Sequence, residues 1–373
     1  MVLFLKRCST TEQEIFAFDL KLRKQKILFA PLDWGLGHAT RSIPIIQEFL
    51  NQGCDVQIAA SGNALVLLKK EYSALKFYPL VSYQASYSIH IPFMIKILIQ
   101  IPKFLLAIRE EHRMIEQIIK AENIDFVISD NRYGCWSKGI PSVLITHQTN
   151  ILMSPSWKWL EGFINWGNQW QIRKFKVCWI PDFPNGIGGR MTKSDGLKVK
   201  YIGMVSRFEK LNLKKRFDIL ALISGPEPQR TVIETKIRGQ LEKSMLNYFI
   251  VRGKLDGDDH VRSEKEANHL TSEALNEVIA SSELIISRSG YTTIMDLCKL
   301  GKKAIFIPTP GQTEQEYLAK ELKRLGITFY QEQNEFDLTT ALEESKKYKG
   351  FEGYPDSPNL LAEAIDTILN HAI

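Results

Sequence analysis

Short apolar runs alternate along most of the chain with longer stretches in which apolar positions recur every three or four residues. The first pattern suits a buried strand and the second an amphipathic helix, so the alternation predicts parallel sheets covered by helices. In the first half the predicted strands are 26–30, 56–60, 126–129 and 142–146. Between them "RSIPIIQEFLNQG" reads as a helix closed by Gly53 at a C-cap position, and "RMIEQIIKAEN" as another helix. In the second half "DILALISG", "YFIVRG", "ELIISRSG", "KAIFIP" and "ITFY" predict strands, with "VIETKIRGQLEK", "SEALNEVIAS", "TTIMDLCKLG" and "EQEYLAKELKRLG" as helices. The expected class is α/β, with two Rossmann-like domains facing a cleft. The seam is placed near Ser206, where "VKYIG" ends a short strand before the charged "EKLNLKKR". The layout is then an extension over 1–25, a first domain over 26–205, a second over 206–350, and an amphipathic helix in 351–373 that can pack on either half.

Composition changes this picture little. At 373 residues two cores are expected rather than one. The 44% hydrophobic and 24% charged content is that of a soluble globular protein, and the net charge of +6 suits anionic membranes, nucleotides or nucleic acid without choosing among them. Nucleic acid is not among the expected partners. Cys8, Cys54, Cys135, Cys178 and Cys298 are odd in number and scattered, with no CxxC pair, which favours a reducing, cytoplasmic compartment and speaks against a metal site. The apolar patch before Lys6 and Arg7 is too short for a secretory segment. The most apolar stretch, "IHIPFMIKILIQIPKFLLAI", is interrupted by Pro92, Lys96, Pro102 and Lys103 and does not read as a spanning helix. Together with Trp157, Trp159, Trp166 and Trp170, followed by Arg173, Lys174 and Lys176, it fits two surfaces: a peripheral contact at the inner face of a membrane, or a core or acceptor-groove wall.

Candidate chemistry lies where strands run into helices, because exposed N–H groups there favour anions. In "APLDWGLGHATRS", Gly35 and Gly37 permit close backbone approach, and His38 opens a helix whose dipole would keep its imidazole neutral, as a general base requires. A glycine turn with a capping histidine is the competing reading. The spacing is not a dinucleotide fingerprint. A second loop offers Ser224, Gly225 and the guanidinium fork of Arg230 to phosphate, although Pro226 and Pro228 remove donors. A third presents Ser289, Gly290, Tyr291 and Thr292 to phosphate, with Asp296 placed one turn on to accept two ribose hydroxyls. Gln315 and Glu316, at a further helix start, suit sugar hydroxyls, and His147 is equally a structural residue or a ligand. There is no GxSxG elbow and no HExxH pair.

With these loops in register the chain resembles the GT-B glycosyltransferases, specifically the family 28, MurG-like enzymes that use UDP-N-acetylglucosamine. "ISRSGYTTIMDLCKLGKKAIFIPTPGQTEQEYLAKEL" is similar to the family's donor motif, an S-R-S-G-A-x-T-x-x-E helix followed by a strand and a paired-Gln loop. That resemblance implies a ribose contact at Asp296 and hexose contacts at Gln315 and Glu316. "GMVSR" resembles the family's G-N-P-V-R and implies a diphosphate contact at Arg207; "NHLTSE" implies a base contact at Leu270. The Gly35–His38 stretch resembles T-G-G-H, with Leu36 for one glycine, and "GIPSVLITHQTN" resembles G-I-P-x-V-L-H-E-Q-N, with His147 where the family has Glu. In "ISDNRYGCWS", Asp130, Asn131 and Arg132 stand where the family has an acceptor-side glycine loop, which implies a different acceptor.

The function so implied is metal-independent, inverting transfer of a GlcNAc-like hexose from a UDP-sugar, with no cofactor, to a hydroxyl on a lipid-linked or cell-envelope glycan. His38 is the first candidate base and Asp130 the second; Gly35, Gly37, Asn131, Arg132 and His147 are the acceptor-side wall. The alternatives are a silent nucleotide-sugar-binding protein and a UDP-sugar 2-epimerase on the same fold.

Overall fold

The structure, a computed structural model, describes residues 24–83, 93–254, 261–354 and 359–370. The 1–25 extension falls almost wholly outside them.

The first sheet contains β1 (Lys26–Pro31), β2 (Asp55–Ala60), β3 (Lys76–Pro79), β4 (Phe126–Asp130), β5 (Ser142–Ile145), β6 (Val177–Ile180) and β7 (Val199–Tyr201). They run parallel in the order β3-β2-β1-β4-β5-β6-β7. The helices of this half are α1 (Leu36–Asn51), α2 (Gly62–Glu71), α3 (Phe93–Glu122) and α4 (Glu161–Ile172). Ile27, Leu28, Phe29 and Ala30 of β1 are fully buried. A central parallel strand is covered on both faces, which is why its sequence is continuously apolar rather than alternating.

The second sheet contains β8 (Phe217–Leu222), β9 (Tyr248–Val251), β10 (Val261–Ser263), β11 (Glu266–Ala267), β12 (Ser282–Ser287), β13 (Lys303–Phe306) and β14 (Phe329–Tyr330). Its order is β10-β11-β9-β8-β12-β13-β14, parallel except for the β10–β11 edge pair. Its helices are α5 (Gln229–Leu241), α6 (Ser272–Ala280), α7 (Tyr291–Leu300), α8 (Thr313–Arg324) and α9 (Leu338–Ser345). Each sheet reverses its winding once, between β1 and β4 in the first and between β8 and β12 in the second. Crevices form at such switch points, outside the C-terminal ends of the strands. The β1–β4 crevice holds His38 and Asp130; the β8–β12 crevice holds Ser224, Gly225 and the Ser289–Gly290 turn.

Two departures from the sequence expectation have local causes. The edge strand β3 and the short β6 lack a long apolar run, and their extended state is fixed by pairing to β2 and β5. The helix in "RMIEQIIKAEN" is the end of the 30-residue α3, which continues through Pro102. Pro102 lies on the exposed side, where water can serve the carbonyl that loses its donor. The last helix, α10 (Asn359–Asn370), returns to the first domain: Ala364, Ile365 and Ile368 join the core of Ile43, Ile46 and Phe49, and the Gln52 Nε2 donates to the Ala362 carbonyl.

The two halves meet through helix N-termini. The Thr292 hydroxyl at the start of α7 donates to the Gly37 carbonyl of α1 at 3.3 Å. A Cβ at position 37 would lie 3.1 Å from that hydroxyl oxygen, so glycine permits the approach. Gly35, which precedes α1, has φ +86°, a conformation open to glycine and strained for side chains.

Candidate active site

Parallel register sets the first cluster. Pro31 of β1 pairs with Asp130 of β4, so the chain leaves both strands side by side, and α1 starts four residues beyond Leu32. Asp130 is fully buried beneath His38 and Arg41, which lie one helical turn apart on α1. The His38 Nδ1 is 3.0 Å from Asp130 Oδ1; Arg41 Nε donates to Oδ2 at 2.8 Å, and Arg41 Nη2 donates to Oδ1.

The ionisation states follow. Burial alone would raise the Asp130 carboxyl, but Arg41, and next His38, hold it well below the usual carboxylate range. Nδ1 is also 3.0 Å from Arg41 Nη2, but that nitrogen already donates to Asp130 Oδ1; an ionised carboxylate only accepts, so we assign the His38 proton to Nδ1, which leaves Nε2 with its lone pair. Burial, opposed by Asp130, lowers the His38 pKa and favours that neutral form. The side chain is 15% exposed, enough for Nε2 to meet a substrate in the cleft.

The network then crosses to the second domain. Arg41 Nη1 lies 2.9 Å from His147 Nδ1, which must accept, so His147 carries its proton on Nε2 and donates to Glu314 Oε1 at 3.2 Å. Gln148 Nε2 donates to the other Glu314 oxygen. The His147 ring stacks on Tyr291, 4.0 Å between centroids. His147 is therefore a bridge between domains. Arg41 and Glu314 escaped sequence reasoning: Arg41 is a polar residue on the buried side of α1, and Glu314 is one position before the residues that the paired-Gln motif marks.

On the opposite wall Asp296 of α7 accepts from the Ser206 hydroxyl at 2.6 Å. Burial pushes its carboxyl up to about 6 against the opposing effects of Arg207 and Ser206. Arg207 donates to the Ser272 hydroxyl at the start of α6, and its buried Nε has no partner among the described residues. Burial lowers its pKa, with Asp296 opposing. Asp296, Arg207 and the α6 N-terminus thus stand together, and Leu270, just before α6, buries its side chain in the core of this half. The Ser289 hydroxyl donates to the Gln315 carbonyl, which ties the α7 turn to α8.

Other expected positions differ. Arg132 is no cleft residue: it is fully buried, paired with Glu111 at 2.7 Å and hydrogen-bonded to Ser61 beneath Tyr83. Asn131 has φ +59°, and its buried Oδ1 lacks a partner among the described residues. Both terminal nitrogens of Arg230 are committed to Glu227, Glu234, Thr231 and the Arg252 carbonyl, which removes the fork expected for phosphate. Gln315 accepts from the Thr309 N–H and donates to Gln312, and Glu316 accepts from the Gly311 N–H, so both brace the β13–α8 loop. Asp130 is too acidic and too enclosed to take a substrate proton itself.

Residues 234–351 match the model of the glycosyltransferase family 28 C-terminal domain. The second half of the chain thus carries a family 28 glycosyltransferase domain. The chain is 24% identical over 318 residues, 80% of this chain and 83% of the other, to the UDP-N-acetylglucosamine–N-acetylmuramyl-(pentapeptide) pyrophosphoryl-undecaprenol N-acetylglucosamine transferase of Glaesserella parasuis. A transferase of the same name from Bacillus cereus is 22% identical over 309 residues, 72% of this chain and 79% of that one. Among solved structures, the fold matches Acinetobacter baumannii MurG with TM-score 0.57 and 17% identity, over 93% of this chain and 99% of that one. It also matches the kitacinnamycin glycosyltransferase with TM-score 0.59 and 15% identity, over 94% and 96%. The GT-B architecture expected from sequence is the one found.

In this glycosyltransferase Asp296 makes a measurable trade. Its folded pKa of about 6 lies above the ordinary 3.8, so the carboxyl favours the folded state below that ordinary value, and the contribution is lost as pH rises through about 6. At pH 8 the buried carboxylate therefore costs stability. Asp296→Asn is expected to raise the stability at pH 8 by up to about 3 kcal/mol, read as a higher melting temperature, and to leave it little changed near pH 4. Equal shifts at both pH values would contradict the buried-carboxylate account.

Proposed function

We propose that the enzyme transfers a GlcNAc-like hexose from a UDP-sugar to a hydroxyl acceptor held by the first domain, with inversion and without a metal. The observation that carries this reading is the Asp130–His38 pair at the start of α1, beside Gly37, whose carbonyl meets Thr292 of the nucleotide-side helix α7. The acceptor oxygen attacks the anomeric carbon as His38 Nε2 takes its proton, and the bond from that carbon to the diphosphate oxygen breaks. Arg207 and the amides at the start of α7 offset the charge that develops on the departing UDP, while Asp296 accepts ribose hydroxyls. Arg41 holds Asp130 ionised and so fixes the tautomer of His38.

Asp130, Asn131 and the enclosed Arg132 in place of a glycine loop favour an acceptor without the diphosphate of the Glaesserella parasuis enzyme's acceptor, such as another lipid-linked or cell-envelope glycan. The free, buried Cys54, Cys135, Cys178 and Cys298 support a cytoplasmic setting.

Thermal shift and slow donor hydrolysis with UDP-, GDP- and dTDP-sugars test the donor side. UDP-N-acetylglucosamine at saturating concentration is expected to raise the melting temperature by a few degrees, more than the other donors, and to be hydrolysed slowly. Binding with neither hydrolysis nor transfer would establish a silent nucleotide-sugar protein, and release of a 2-epimer would establish an epimerase.

A further inference from the structure

Five side chains run in a hydrogen-bonded line from α8 of the second domain to the candidate base. Glu314, in the first turn of α8, accepts from His147 Nε2 at 3.2 Å. His147 Nδ1 accepts from Arg41 Nη1 at 2.9 Å, Arg41 Nε donates to Asp130 Oδ2 at 2.8 Å, and Asp130 Oδ1 accepts from His38 Nδ1 at 3.0 Å. A guanidinium only donates and an ionised carboxylate only accepts, so Arg41 and the two carboxylates give every link one direction. Arg41, Asp130 and His147 are buried, where a mismatched donor or acceptor is costly.

Glu314 is the one member of this line that belongs to the second domain. First-domain donors engage both of its oxygens, since Gln148 Nε2 donates to the oxygen that His147 leaves. Burial alone would raise its carboxyl, but the His147 and Gln148 donors hold it below its ordinary value and so ionised. The His147 ring is also seated on Tyr291, 4.0 Å between centroids, and the Tyr291 hydroxyl donates to the Pro181 carbonyl at 3.1 Å. Glu314 thus holds the proton of His147 on Nε2. The other tautomer would set an Nδ1–H against the Arg41 donor, and one of the two would have to turn away. Arg41 cannot turn without consequence, because the same guanidinium holds both oxygens of Asp130.

We propose that Glu314 is a positioning residue for the base: acting through His147 and Arg41, it fixes the geometry of Asp130 and His38, and it does so only while α8 lies against the first domain. This inference rests on His38 being the base, as proposed above. It makes contact with the donor-side domain a condition for proton removal on the acceptor side. A plain strut between domains would need one contact and no common direction along the four links.

The test is a double-mutant cycle on the full chain, read by slow hydrolysis of UDP-N-acetylglucosamine and by nitrogen NMR of the imidazoles. Glu314→Leu removes the acceptor, and His147→Phe keeps a ring on Tyr291 but removes both nitrogens. Glu314→Leu is expected to lower kcat by up to about 10²-fold, as a small misplacement of a catalytic group can, with KM little changed. Glu314→Gln, whose amide keeps an oxygen for His147, should recover most of that loss. In the His147→Phe background the Glu314→Leu change should alter kcat by less than about twofold. The His38 nitrogen signals should move in Glu314→Leu, although four links of the line separate the two side chains. Melting curves check that each variant is folded, with Glu314→Ala as a second removal. Unmoved His38 signals make Glu314 a strut and overturn the proposal. A raised KM, or a loss of kcat that persists in the His147→Phe background, overturns it by assigning Glu314 to the donor. Wild-type kcat in Glu314→Leu beside a loss in His38→Ala overturns it and spares the base reading. Wild-type kcat in His38→Ala removes the base reading and this proposal with it.

Discussion

His38→Ala is expected to lower turnover by roughly 10²- to 10⁴-fold, the range set by general-base assistance, while UDP-sugar affinity is unchanged. The proposed base sits on the first domain, and the residues proposed for the nucleotide, Arg207 and Asp296, sit on the second, so the variant should separate chemistry from donor binding. The pH–rate profile carries the same information. Burial lowers the His38 pKa, so the base form persists into more acid solution than for a free imidazole. The acid limb of the wild-type profile is therefore expected below the ordinary value of about 6.5, and it should vanish in the alanine variant. Stopped or single-turnover transfer assays read both quantities. Wild-type turnover in His38→Ala would remove the base role, and a loss confined to donor affinity would move the residue to the nucleotide side.

Asp130→Asn should act twice. The carboxylate is the ionic partner of Arg41, which is 3% exposed, and removing one member of such a buried pair costs about 3–5 kcal/mol. The second effect is chemical. A carboxylate can only accept from His38, whereas an amide can present an N–H to Nδ1 and select the other tautomer, with the proton on Nε2 and no lone pair toward the acceptor. Amidation of the aspartate in a serine-protease triad has that consequence and costs roughly 10⁴-fold. Urea denaturation measures the first effect, and turnover at a temperature where the variant is folded measures the second. A variant as stable and active as the parent would contradict both roles of Asp130.

Much of this protein is written locally. The strands around Ile27 and Ile285 are covered on both faces, so each is an apolar run that declares itself without its neighbours. The α7 helix and its preceding S-R-S-G turn are similarly legible, because a helix start has its own residue requirements. The long α3 was only half visible, since an internal proline reads as a stop when the solvent exposure of its face is unknown. Short strands such as β3 and β6 depend on a partner strand for their backbone hydrogen bonds and carry little signal of their own.

The site divides along the same line. Gly35, Gly37, His38, Asp296 and the Ser289–Gly290 turn belong to loops whose composition is unusual in itself, and the sequence was enough to mark them. What each side chain does depends on which strands lie side by side, and that is set by non-local pairing. The β1–β4 register brings Asp130 under His38 and Arg41, and so makes one carboxylate an ionised partner instead of a base. Domain juxtaposition brings Glu314 to His147, although 167 positions separate them. Arg132 and Arg230, equally eligible on paper, are consumed by buried ion pairs that form only once Glu111 and Glu234 are packed against them. The terminal helix could have covered either half by its amphipathic pattern, and Ile365 and Ile368 settled on the α1 core. The sequence by itself determined two α/β halves and the glycine-rich and helix-start loops between their elements, because periodicity and turn composition act within a few residues. Tertiary structure decided charge states, tautomers and partners, because these depend on burial and on groups distant in the chain.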